Sequence, residues 1–169
     1  MTVDHTRIDL HDNPLEERMS GVARHGMVPF DVPYISEIGP NLYQGGCRDG
    51  LTLPTFIKHV VSLYKWEAYE ARHELLSSMF VTMYDAEDQG FSQVDVLANW
   101  INECRRSGAV LVHCQAGLNR SSLIAARALF LGGGFTTGDE IVEHLRASRS
   151  PACLCNKAFE DEVRSWGSP

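Results

Sequence analysis

The stretch "AVLVHCQAGLNRSSLIAARALF", residues 109–130, drives an apolar run into a cysteine and follows it six residues later with an arginine. The run AVLVH (109–113) has the β-branched, uninterrupted apolar character of a buried strand. From Ser121, small and apolar residues at helical spacing predict a helix, stopped by Gly132, Gly133 and Gly134. A strand, a short loop and a helix N-terminus in that order form an arrangement that binds anions. Successive backbone N–H groups of the loop can turn inward as a nest, and the helix end adds partial positive charge. Gly117 gives the backbone freedom such a curl needs. Arg120 adds a planar, permanently charged fork matched to two phosphate oxygens. The same field favours the thiolate form of Cys114. The strand thus fixes a sulfur in place, and the loop and arginine hold the group it can attack.

Working outward, residues 59–64 (HVVSLY) and 79–85 (MFVTMYD) are expected to be two further buried strands, the second ending on Asp85. Residues 41–44 suggest a short strand between a Gly-Pro turn and a Gly-Gly turn. Helices are expected over 53–59 with Thr52 as cap, over KWEAYEARHELLSS (65–78), and from Ser92 through Cys104. In that last helix Val94, Leu97, Ile101 and Cys104 share one face. Thr137 and Glu140 form a capping box for a helix to about 148, and NKAFEDEVRSW predicts a final helix. Apolar strands separated by helices indicate an α/β fold, with a mainly parallel central sheet flanked by helices. In such folds ligands sit at the carboxyl ends of strands, which is where both Asp85 and Cys114 fall. Residues 1–35 are expected to form an irregular or partly helical N-terminal arm, and 36–169 the main domain.

Hydrophobic residues make up 44% and charged residues 22% of the 169, an ordinary globular mixture with room for one core. The formal net charge of −7 disfavours long-range attraction to nucleic acid or an anionic membrane. No apolar run is long enough to span a bilayer, and the start lacks the blocks of a signal peptide. The five cysteines are odd in number and irregularly spaced, which argues for reduced thiols and a cytoplasmic location.

The run "HCQAGLNRS" (113–121) resembles the His-Cys-x5-Arg-Ser motif of the cysteine-dependent protein tyrosine phosphatases, most closely the dual-specificity subgroup with its pattern HCxxGxxRS. The likeness extends to "EIGPNLYQGG" (37–46), "VTMYDAED" (81–88) and "RASRSPACLCNKAFEDEV" (146–163), and covers roughly residues 36 to 166. It implies a phosphatase acting on phosphotyrosine, and on phosphoserine and phosphothreonine, in protein or peptide substrates, with no cofactor and no metal. Carried onto this chain, Cys114 is the nucleophile. The amides of Gln115, Ala116, Gly117, Leu118, Asn119 and Arg120, with the Arg120 guanidinium, hold the phosphoryl oxygens. Asp85 serves as general acid and then base. Ser121 assists the departing sulfur, and His113 orients the loop. Asp88, in the same acidic loop, competes with Asp85 for the acid role.

Asn119 departs from the serine common before this arginine in dual-specificity protein phosphatases. "Gly-Leu-Asn-Arg" is similar instead to the loop of the RNA 5′-triphosphatase branch, although Lys58, Lys65 and Lys157 are the chain's entire lysine complement and give no basic track. An RNA 5′-phosphatase or a phosphoinositide phosphatase is therefore the alternative within the superfamily. Outside it stand a rhodanese-type sulfurtransferase and an inactive phosphate-binding module. Cys47 is a candidate resolving thiol for oxidised Cys114. Cys153 and Cys155 supply too few ligands for a metal site. Trp66, Trp100 and Trp166 are expected to be packing residues, and Arg146 and Arg149 to decorate a helix end, although the resemblance also matches Arg149 to an arginine in the closing segment of the family. Oligomeric state leaves no mark in the sequence.

Overall fold

The computed structural model describes residues 13–167. Its centre is a five-stranded sheet of β3 (Ile35–Gly39), β4 (Leu42–Gly45), β5 (Ile57–Ser62), β6 (Ser77–Phe80) and β7 (Ala109–His113). The strand order is β3-β4-β7-β5-β6. Only the β3–β4 pairing is antiparallel; β4–β7, β7–β5 and β5–β6 run parallel. The mainly parallel sheet expected from the apolar strands is present. Its middle strand, β7, is buried at every position, as its unbroken apolar sequence requires.

Alternation along β7 divides the interior in two. Val110, Val112 and Cys114 join the large core beneath the helices. Ala109 and Leu111 join a smaller cluster with Ile35, Leu53, Ile57 and Val60 on the opposite face. The helices α1 (Val94–Cys104), α2 (Arg120–Leu131), α3 (Gly138–Ser148) and α4 (Lys157–Arg164) all contribute to the large core. Thr137 and Glu140 close the capping box at α3. The apolar face of α1 is Val94, Leu97, Ile101 and Cys104, as their spacing predicts. Its N-cap is Gln93 rather than Ser92, and no side chain caps it.

Three sequence expectations fail on the smaller face. No helix forms over 53–59. Leu53 N–H donates to Glu70 O and Glu70 N–H to Leu51 O, both at 2.8 Å, so this chain is drawn extended beside residue 70. Leu53 and Ile57 then reach the small cluster, and β5 begins at Ile57. Residues 65–78 form no helix for the same reason. Tyr69 donates to Gly46 O and His73 contacts Ile57 O at 2.6 Å, anchors that a helix would break. The strand expected over 79–85 is Ser77–Phe80, a half-exposed sheet edge, and Asp85 lies in the loop beyond it.

The N-terminal arm also differs from expectation. Its first twelve residues fall outside the described residues, but β1 (Arg18–Val22) and β2 (Pro29–Pro33) form an antiparallel hairpin instead of an irregular or helical segment. Ala23 N–H donates to Val28 O at 2.7 Å, and Gly26 and Met27 take positive φ between them, which turns the chain back. The period-2 signal is weak here because the hairpin packs outside the core, with only Val32 among the residues of β1 and β2 fully buried.

Candidate active site

The chain leaves β7 at His113, curls through residues 114–119, and enters α2 at Arg120. The curl is fixed by where its carbonyls point. Gln115 O accepts from Cys47 N–H at 2.9 Å, and Leu118 O from Leu154 N–H at 2.8 Å. Ala116 O accepts from Arg149 Nη2 at 3.1 Å. Gly117 O accepts from Arg149 Nε at 2.7 Å and from Gln44 Nε2 at 3.0 Å. With the carbonyls pulled outward, the N–H groups of residues 115–120 have no protein acceptor among the described residues. That is an anion nest. Gly117 holds φ at 69°, and a Cβ there would lie 2.4 Å from the Gly45 carbonyl carbon, so no larger residue fits.

Cys114 sits at the base of the curl, 2% exposed. Ser121 Oγ lies 3.3 Å from its sulfur. Arg120 Nη1 reaches the Met83 carbonyl at 3.3 Å, and the guanidinium lies over the Tyr64 ring at 5.4 Å. Arg120 Nε is buried without a protein partner among the described residues, a donor left for a ligand oxygen. His113 packs edge-on against Tyr69 and contacts Cys114 O at 3.4 Å. Burial pushes its imidazole down to about 4, so it is neutral at physiological pH.

Asp85 is gripped from three directions. Asn119 Nδ2 donates to Oδ2 at 3.0 Å and Asn156 Nδ2 to Oδ1 at 2.9 Å. His25, from the hairpin turn, places Nε2 3.1 Å from Oδ1 and 3.0 Å from the Asp85 carbonyl. Both amide orientations are set by backbone donors: Asn119 Oδ1 accepts from Asn156 N–H at 2.8 Å, and Asn156 Oδ1 accepts from Ala158 N–H at 3.1 Å. Asn119 must therefore accept on one side and donate on the other, which serine cannot do at this reach. Its occurrence before Arg120 has a local structural cause. Asp85 lines the same cleft as Cys114 and Arg120, whereas exposed Asp88 does not.

The cleft encloses about 580 Å³. Met19, Val22 and Phe30 of the hairpin form one wall, and Tyr64 and Tyr84 another. The hairpin is thus part of the site.

Two further residues hold the curl in ways the sequence reading did not give. Gln44 is fully buried and bridges Gly117 O, Ser121 Oγ and Ser122 Oγ. Arg149, expected at a helix end, is buried beneath the curl. It also donates to Pro33 O and Ser36 Oγ, both at 2.9 Å. Cys47 adjoins the curl, but burial pushes its thiol up to about 12, which weakens it as a resolving nucleophile. Among the described residues no cluster of three or more metal-ligating side chains forms, and no helix is long and apolar enough to cross a membrane.

No family model matches the chain. A curated relative, dual specificity protein phosphatase 12 of Rattus norvegicus, is 29% identical over 139 residues, spanning 77% of this chain and 40% of the relative. The chain therefore spans well under half the length of that relative. Among solved structures, a mouse dual specificity phosphatase complexed with zinc tungstate superposes with a TM-score of 0.66 at 19% identity, over 78% of this chain and 87% of that one. The human tyrosine phosphatase-like serine/threonine/tyrosine-interacting protein gives 0.65 at 18% identity, over 76% and 92%. The chain is therefore similar in sequence to a dual specificity protein phosphatase and shares the fold of these solved phosphatase structures.

Proposed function

We propose that the chain hydrolyses phosphomonoesters of proteins or peptides, phosphotyrosine and also phosphoserine and phosphothreonine, through a phosphocysteine intermediate. The observation that carries this reading is the ring of unpaired amides around Cys114, completed by the unpaired Nε of Arg120. Such a ring meets the three equatorial oxygens of a phosphoryl group in transfer and stabilises the charge that spreads over them.

In the first step the Cys114 sulfur forms a bond to phosphorus as the ester oxygen leaves, and Asp85 supplies that oxygen with its proton. In the second, the Asp85 carboxylate takes a proton from water, whose oxygen bonds to phosphorus while the S–P bond breaks. The sulfur departs with the electron pair, and the Ser121 hydroxyl donates to it. An alcohol and inorganic phosphate are the products. Neutral His113 packs behind the nucleophile without adding a competing charge. The apolar and aromatic walls of Met19, Val22, Phe30, Tyr64 and Tyr84 suit an aryl ring next to the phosphate. The chain's unpaired thiols support a reducing compartment such as the cytoplasm.

The test is a panel of phosphopeptides, phosphoinositides and triphosphorylated RNA, with an aryl phosphate as reference. Release of phosphate from phosphopeptides is expected; turnover of triphosphorylated RNA alone would reassign the substrate. Asp85→Asn is expected to slow hydrolysis of phenyl phosphate about 100-fold, the scale of general acid catalysis. Its effect on a fluorinated umbelliferyl phosphate, whose leaving group needs no proton, should stay below about tenfold. Steady-state kinetics on the two esters checks this, and equal slowing would remove Asp85 from the acid role.

A further inference from the structure

We infer that His25, in the turn of the β1–β2 hairpin, is a positioning residue for Asp85 and makes the N-terminal hairpin a working part of proton transfer. The inference rests on the phosphatase reading above, in which Asp85 moves the proton.

The chemistry of the contact is determined by its acceptors. His25 Nε2 faces the Asp85 carbonyl at 3.0 Å and Asp85 Oδ1 at 3.1 Å. A carbonyl oxygen can only accept, so Nε2 carries the hydrogen and donates. The N–H bonds the Asp85 carbonyl, and the same nitrogen lies against Oδ1, so the imidazole bears on both the backbone and the carboxyl of one residue. Asn156 Nδ2 donates to Oδ1 at 2.9 Å. Among the described residues Oδ2 accepts from Asn119 Nδ2 alone, at 3.0 Å. Each carboxyl oxygen thus accepts one amide hydrogen bond, and the imidazole crowds Oδ1 in addition, so Oδ2 is the more open oxygen and the transferable proton belongs there. The two asparagines belong to the end of the anion curl and the start of α4. Only His25 comes from outside that framework, from a turn shaped by the positive φ of Gly26 and Met27.

Loss of His25 frees Oδ1 and the loop backbone on one side, so the carboxyl can rotate about its remaining two contacts. The predicted defect is confined to the leaving-group proton. His25→Ala should lower kcat on phenyl phosphate about tenfold, the cost of partial misplacement of a reacting group. On the fluorinated umbelliferyl phosphate it should change kcat less than twofold. His25→Gln, which keeps a donor of similar reach, should recover part of the loss. In an Asp85→Asn background His25→Ala should add nothing on either ester.

A structural role for the hairpin alone would slow both esters alike and add its loss in the Asp85→Asn background, and either result overturns the inference. A second measurement is independent of turnover. The His25 imidazole resonances, assigned among the seven histidines by their absence in His25→Gln, should shift in Asp85→Asn. Resonances indifferent to that substitution overturn the inference even in an active enzyme. Absence of hydrolysis from every phosphate ester would instead sink the phosphatase reading, and the resonances would still decide the contact.

Discussion

Cys114→Ser should bring aryl phosphate hydrolysis down by roughly 10^4-fold or more, the scale seen when a covalent nucleophile is removed. The reason lies in the mismatch between site and atom. The curl offers its amides and Arg120 to the charge of a phosphoryl group, and sulfur attacks phosphorus from that seat far more readily than a hydroxyl oxygen does. A serine hydroxyl at position 114 stays protonated and is a poor nucleophile toward phosphorus. The cradle is shaped by carbonyls that Gln44, Cys47, Arg149 and Leu154 hold outward through bonds that do not involve the sulfur. Binding of tungstate, measured by calorimetry, should therefore persist in the variant. Activity lost with binding kept is the expected pair of results; residual turnover above a few per cent would mean that another group attacks phosphorus.

Arg149→Met should be the most damaging substitution for stability. Arg149 is buried with no carboxylate paired to it among the described residues, where its partners are Gly117 O, Ala116 O, Pro33 O and Ser36 Oγ. Removing a buried charged partner and stranding several carbonyls costs about 3–5 kcal/mol. For a chain of this size, thermal unfolding followed by circular dichroism should show a midpoint lower by about 10 °C. Arg149→Lys should recover little, because one ammonium cannot serve acceptors on two sides of a planar fork. The curl would also lose the ties that turn two of its carbonyls outward. Oxyanion affinity should fall with stability, in contrast to Cys114→Ser.

The parts of the molecule legible in the sequence were those that decide their own structure. β7 is apolar up to its last residue, His113, and buried throughout; α3 has its reciprocal cap; α1 shows its face in the spacing of Val94, Leu97, Ile101 and Cys104. The curl was legible because a glycine, a cysteine and an arginine are needed at fixed intervals between a strand and a helix. What stayed hidden depends on distant partners. Residues 65–78 have helical composition, yet Tyr69 and His73 bond to Gly46 and Ile57, and those contacts outweigh propensity. Asp85 was expected to close a strand, but β6 ends at Phe80 and the loop beyond follows its own contacts. His25, Gln44 and Arg149 act on residues 60, 73 and 32 positions away in the chain, and no local pattern records such pairs.

The tight seating of Gly117 against Gly45 has a consequence for the life of the protein outside turnover. Inward-facing amides exist only once β4, β7 and the end of α3 are assembled, so the unfolded chain has no affinity for oxyanions. Inorganic phosphate, the product of the proposed reaction, then acts as a folding chaperone in the thermodynamic sense: at a hundred times its dissociation constant it deepens the native well by about 2.7 kcal/mol. The midpoint of thermal unfolding should climb with phosphate concentration in the wild type, so that accumulated product slows the enzyme and preserves it at once.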